Sequence, residues 1–192
     1  ETDQPARPLA PSPASFSSAD ERLVPPDDER SNFKAADELF LRELVRRGLL
    51  PEKNIHRFRT ERGETGEEKG AAALKEELTR YDEELEALGG KIHIAILGVG
   101  EDGHIGSLFP GHRLVQTKRK EFLLIENSPK PPARRMTISP AHVRDSEAPF
   151  LLFIGEGKRA AYTCFESGDD PSACPCRLAK QGEGTVYVVL GP

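Results

Sequence analysis

Apolar residues recur along this chain in two periods, and the switches between them mark its elements. From Ser31 or Asn32, either able to cap a helix, Ala36, Leu39, Phe40 and Leu44 fall on one helical face, and Gly48 closes the helix. Asn54-Ile55-His56-Arg57-Phe58 predicts a short strand, and residues 63–70 a charged connection. Leu74, Leu78, Tyr81, Leu85 and Leu88 then return at helical spacing until Gly89-Gly90 stops them. β-rich runs follow at 122–126, 150–154 and 186–190, with a helix expected over 158–167. This alternation predicts an α/β fold with a mostly parallel sheet and helices on both faces. The sequence shows no internal repeat.

The run before residue 100 is the most informative. Ile92, Ile94 and Ile96 alternate with His93, Ala95 and Leu97, so nearly every position suits burial, as in a central strand covered on both faces. Gly98, Gly100 and Gly103 follow, letting the backbone turn and approach a ligand. Asp102 and His104 sit in that loop, beyond the strand's carboxyl end, where open α/β sheets bind ligands. Taken alone, the loop reads first as a solvated or structural turn.

Composition narrows the choice of function. A chain of 192 residues is sized for one domain with a real core. Its formal charge of −5 argues against a broad nucleic-acid surface. No apolar stretch approaches the roughly 18 residues of a membrane span, and no signal-peptide core opens the chain. Pro5, Pro8, Pro11 and Pro13, with several serines, make residues 1–19 an extended or disordered lead before a domain over 20–192. The three cysteines, Cys164, Cys174 and Cys176, fit reduced thiols and a cytoplasmic location. Cys174-Pro175-Cys176 lacks metal-finger spacing.

Two other segments carry candidate chemistry. Asp20-Glu21-Arg22 precedes a loop stiffened by Pro25-Pro26, and by itself reads as a solvated acidic turn. In Ser128-Pro129-Lys130-Pro131-Pro132 the prolines restrict the backbone around Lys130, with Arg134 and Arg135 just beyond. Arg22, Lys130 and Arg135 together would suit a phosphate dianion, the arginines as directional forks and the lysine as a point charge.

These segments, in this order, resemble the 6-phosphogluconolactonase family. The matching stretches are Asp20-Glu21-Arg22-Leu23-Val24-Pro25-Pro26 with Ser31-Asn32, then Asn54-Ile55-His56-Arg57. Leu97-Gly98-Val99-Gly100-Glu101-Asp102-Gly103-His104 continues through Ser107-Leu108-Phe109-Pro110-Gly111, and the Lys130 segment with Arg135 completes them. The resemblance implies a Rossmann-like α/β/α sandwich and a metal-independent, cofactor-free hydrolase of the pentose phosphate pathway. Its substrate would be 6-phosphoglucono-δ-lactone. His104 resembles the catalytic base with Asp102 beside it, Asp20 the active-site acid, and Arg22, Lys130 and Arg135 the phosphate-binding cations.

The chemistry suits those residue types. A neutral imidazole takes a proton from water near neutral pH, and backbone N–H groups at Gly100 and Gly103 are plausible oxyanion donors. Family members also carry a Ser-Gly-Gly loop in an N-terminal portion that residues 1–19 do not match. The domain is therefore expected to be shortened, with an exposed sheet edge and an open site. Glucosamine-6-phosphate deaminases resemble the same Asp-Gly-His loop but place a catalytic glutamate where Phe109 stands. A sugar-phosphate-binding domain without turnover, or an inactive fragment, is the non-enzymatic alternative.

Overall fold

The computed structural model describes residues 14–60 and 70–191, arranged as three small sheets around one apolar core. Strand β1 (Phe16–Ser17) pairs in parallel with β3 (Ile55–His56). Strand β2 (Asp20–Arg22) lies antiparallel to β6 (Arg135–Thr137), which pairs in turn with β5 (Leu123–Ile125). The third sheet is wholly parallel, with β7 (Ala148–Ile154) between β4 (Ile94–Gly98) and β8 (Tyr187–Gly191). The expected lead thus gives way to structure before residue 20, since Phe16 and Ser17 already pair with Ile55 and His56. Most of that lead, and nearly all of the charged connection over 63–70, lies outside the described residues.

The first helical stretch departs from its expected face. Helix α1 (Asn32–Ala36) runs through a π-helical turn, Asp37–Leu41, into α2 (Arg42–Arg46). The wider turn rotates the residues after it, so Leu41 is fully buried while Leu39 and Phe40 face outward. Gly48, at φ +68°, ends the stretch as expected. Helix α3 (Ala71–Ala87) buries Leu74, Tyr81 and Leu85, but Leu88 lies beyond it and is exposed. The Tyr81 hydroxyl shares its hydrogen between the carbonyls of Ser18 and His56, both at 3.2 Å, tying α3 to the first sheet.

Helix α4 (Pro140–Asp145) starts at Ser139, whose Oγ accepts from the His142 N–H. Helix α5 (Arg159–Glu166) contributes Ala161 and Phe165 to the core. That core takes Ala95 and Leu97 from β4 and Leu151 and Phe153 from β7. Strand β4 is not buried on both faces as its composition suggests, because Ile94 and Ile96 are 63% and 67% exposed. Residues 187–190 of β8 are exposed as well, and β4 pairs with β7 alone among the described strands. An apolar sheet face and a free strand edge therefore remain uncovered by the described residues.

Candidate active site

Strand pairing brings the first two site segments together. Asp20 lies opposite Thr137 and Arg22 opposite Arg135. Side chains alternate along a strand, so these four project from one face of the β2–β6 pair and Glu21 from the other. Buried Glu21 is a staple rather than a reactant. Its carboxylate accepts from the N–H groups of Asn32 (2.8 Å) and Phe33 (2.7 Å), at the start of α1. Asp20-Glu21-Arg22 is therefore a built strand and not a solvated acidic turn.

The glycine-rich loop leaves β4 and folds back on itself. Gly100 donates its N–H to the carbonyl of His104 at 2.8 Å, and Gly103, at φ +80°, donates to the carbonyl of Gly100 at 2.9 Å. Both N–H groups are committed inside the loop, which corrects their expected role as oxyanion donors. The glycines are needed for space instead. A Cβ on Gly100 would lie 1.9 Å from His104 Nδ1, and one on Gly103 would lie 2.8 Å from Cys174 Sγ.

The cleared space holds a paired acid and base. Nδ1 of His104 is hydrogen-bonded to Oδ1 of Asp102. A carboxylate accepts only, so Nδ1 carries the hydrogen and the lone pair sits on Nε2. Nε2 has no hydrogen-bond partner among the described residues. Phe109 packs against the imidazole with ring centroids 4.6 Å apart and planes tilted by 32°. Burial pulls the His104 pKa below its ordinary value and the Lys130 charge adds to this, while Asp102 opposes it. Burial pushes Asp102 upward, but the bond and charge of His104, with Lys130, bring it below the usual carboxylate range.

Lys130 reaches this pair from the proline segment. Its Nζ lies 3.5 Å from His104 Nδ1 and 3.4 Å from Asp102 Oδ2. Asp20 is fixed from two sides, with Asn32 Nδ2 donating to Oδ1 at 3.0 Å and Ser107 Oγ to Oδ2 at 3.1 Å. Ser107 is itself held by its N–H to Thr137 Oγ1 at 3.0 Å. Burial raises the Asp20 pKa, with Arg22, Ser107, Arg135 and His104 opposing. Asn32, Ser107 and Thr137 hold the site together, whereas the sequence pointed to Asn32 only as a helix cap and to the other two for no site role. Asn32 and Ser107 lie inside the motifs that carry the family resemblance, but only pairing and folding reveal what they touch.

The arginines differ. Arg22 donates from Nη1 to the Arg30 carbonyl at 2.8 Å, while its buried Nε has no partner among the described residues. Such an unsatisfied donor calls for an acceptor the protein does not supply. Arg135 is nearly fully buried and three of its five N–H groups are held by backbone carbonyls: Nε on Pro132 O (3.0 Å), and Nη2 on Lys130 O (2.9 Å) and Pro131 O (3.0 Å). Its Nη1 reaches Ser107 Oγ at 3.4 Å. The structure thus gathers the acid–base pair, Lys130, Asp20, Arg22 and Arg135 around one centre.

A fold of this kind, with a histidine–aspartate pair and cations at the strand ends, defines a class of sugar-phosphate enzymes, and comparison makes the assignment specific. The chain belongs to the family described as glucosamine-6-phosphate isomerases/6-phosphogluconolactonase, whose sequence profile matches residues 3–188. It is 33% identical over 167 residues to the 6-phosphogluconolactonase of Borreliella burgdorferi, covering 86% of this chain and 67% of that protein. It is 31% identical over 176 residues to the 6-phosphogluconolactonase of Mycobacterium tuberculosis, covering 88% and 68%. The solved 6-phosphogluconolactonase of Trypanosoma brucei superimposes with a TM-score of 0.74 at 25% identity, covering 92% of this chain and 71% of that one. Among the described residues no helix is long and apolar enough to cross a membrane.

Proposed function

We propose that the protein hydrolyses 6-phosphoglucono-δ-lactone to 6-phosphogluconate, the lactonase step of the pentose phosphate pathway. The observation that carries this reading is the His104–Asp102 pair, which leaves Nε2 free and has the Lys130 ammonium 3.5 Å from Nδ1. Nε2 of His104 takes a proton from water as the water oxygen bonds to the lactone carbonyl carbon. Asp102 steadies the resulting imidazolium. His104 then returns the proton to the ring oxygen as the carbon–oxygen bond breaks. Asp20 is the acid that hydrogen-bonds the substrate, and Arg22 and Lys130 hold its phosphate, which anchors the reacting carbonyl.

Phe109 argues against the deaminase reading. It is buried against His104 and cannot exchange a proton where that chemistry uses a glutamate. A cytoplasmic location agrees with the three free thiols, and the proposed ligand is the phosphorylated sugar lactone.

The test is lactone hydrolysis by the purified chain, with spontaneous opening subtracted. Acceleration over that background is expected, lost in His104→Ala, while 6-phosphogluconate still binds. Binding of 6-phosphogluconate without acceleration at any pH would favour a sugar-phosphate-binding domain and overturn the enzymatic reading.

A further inference from the structure

We infer that Arg135 is a positioning residue that acts on the substrate through Lys130 and Asp20, rather than a cation that itself grips the phosphate. The inference rests on the lactonase reading for the identity of the ligand, but its geometry stands apart from it. Arg135 is 4% exposed, and its fork closes on the carbonyls of Lys130, Pro131 and Pro132. These three consecutive carbonyls belong to the segment that presents Lys130, and one planar guanidinium satisfies them together. A ligand needing those hydrogens would have to break bonds that shape the segment.

The same side chain reaches the other end of the site. Its Nη1 donates to Ser107 Oγ at 3.4 Å, and Ser107 donates to Asp20 Oδ2 at 3.1 Å. The Lys130 segment braces itself further, with Ser128 Oγ donating to the Lys130 carbonyl at 2.8 Å and Ser128 N–H to the Ala133 carbonyl at 2.9 Å. Asp20, Ser107, Arg135 and the Lys130 backbone therefore form one continuous polar chain. It fixes the spacing between the Asp20 carboxyl and the segment that presents the Lys130 ammonium. Ser107 is the second positioning residue, acting on Asp20.

A double-mutant cycle on lactone hydrolysis separates positioning from direct contact. Lys130→Ala should raise KM about 10- to 100-fold, the range of a lost charge-assisted hydrogen bond. Arg135→Lys keeps the charge but loses the planar fork whose separate nitrogens meet the three carbonyls, and should raise KM over the same range. In KM the two changes together should be no worse than Lys130→Ala alone. A near-parental KM for Arg135→Lys, or losses that multiply in the double variant, would overturn the inference.

Amide hydrogen exchange over residues 128–133 gives a reading that needs no turnover. It should quicken in Arg135→Lys, and unchanged exchange there overturns the proposal even if the chain proves not to be a lactonase. Ser107→Ala leaves the Arg135 fork in place, guarding against simple misfolding. It should lower kcat and displace the kcat–pH profile with KM held within about twofold; an unchanged profile would remove Ser107 from the chain.

Discussion

Gly100→Ala puts the acid–base pair to its sharpest test, because the damage is confined to a few atoms. The added Cβ would lie 1.9 Å from Nδ1 and 2.0 Å from Cε1 of His104, and 2.6 Å from Oδ1 of Asp102. Ordinary contact begins near 3.4 Å, so the imidazole must retreat by about 1.5 Å and release Asp102. The Gly100 φ lies outside the left-handed region, so the backbone accepts alanine without strain. A misplacement of about 1 Å can lower a rate roughly 100-fold, equivalent to about 2.7 kcal/mol of barrier. The pair is partly exposed, and its loss should change stability by less than about 1 kcal/mol. Turnover should therefore fall about two orders of magnitude while the denaturant midpoint hardly moves. The assay is initial-rate lactone hydrolysis, corrected for spontaneous opening, beside urea unfolding of the same preparation. Adding His104→Ala should cause little further loss. A parental rate in Gly100→Ala would refute the argument, since no imidazole can keep its present place beside that methyl group.

Other consequences are as direct. Arg22→Lys keeps the charge but removes the unpartnered Nε, so 6-phosphogluconate affinity by calorimetry should fall about 10-fold or more; unchanged affinity would mean that Nε faces no ligand. Burial lowers the His142 pKa to about 4, with the Lys120 charge adding to this and Asp145 opposing. The folded chain refuses a proton that the unfolded chain accepts below pH 6.5, so His142's contribution is whole above that pH and shrinks as pH falls toward 4. Parental stability should drop by about 3 kcal/mol more than that of His142→Gln between pH 7 and 4, measured by urea unfolding; parallel losses would refute this. A Cβ at Gly182 would lie 1.9 Å from the Arg144 carbonyl oxygen, so Gly182→Ala should cost about 1–3 kcal/mol, and an unshifted melting temperature would show that the backbone there yields freely.

Local pattern determined much of this protein without help from the fold. The spacing of Leu74, Tyr81 and Leu85 specified a helix and its buried side, because helical periodicity depends only on neighbours a few residues apart. The run ending at Gly98 specified a strand opening into a glycine-rich loop, and Gly48 specified a helix stop. Ordered motifs identified the family and the candidate residues Asp20, Arg22, Asp102, His104, Lys130 and Arg135. Tertiary structure decided what each of them touches. Nothing local shows that Asp20 faces Thr137, or that Ser107, 87 residues away from Asp20, is its hydrogen-bond partner. Nor does it show that the Gly100 and Gly103 N–H groups are already used, or that Arg135 holds three carbonyls of the Lys130 segment. The π turn that buries Leu41 in place of Leu39, and the open face that leaves Ile94 and Ile96 exposed, were equally beyond local pattern. Hydrophobic periodicity states which residues can be buried. Burial itself, like hydrogen-bond partnership, is a relation between distant segments that exists only once the strands have paired and the loops have closed over them.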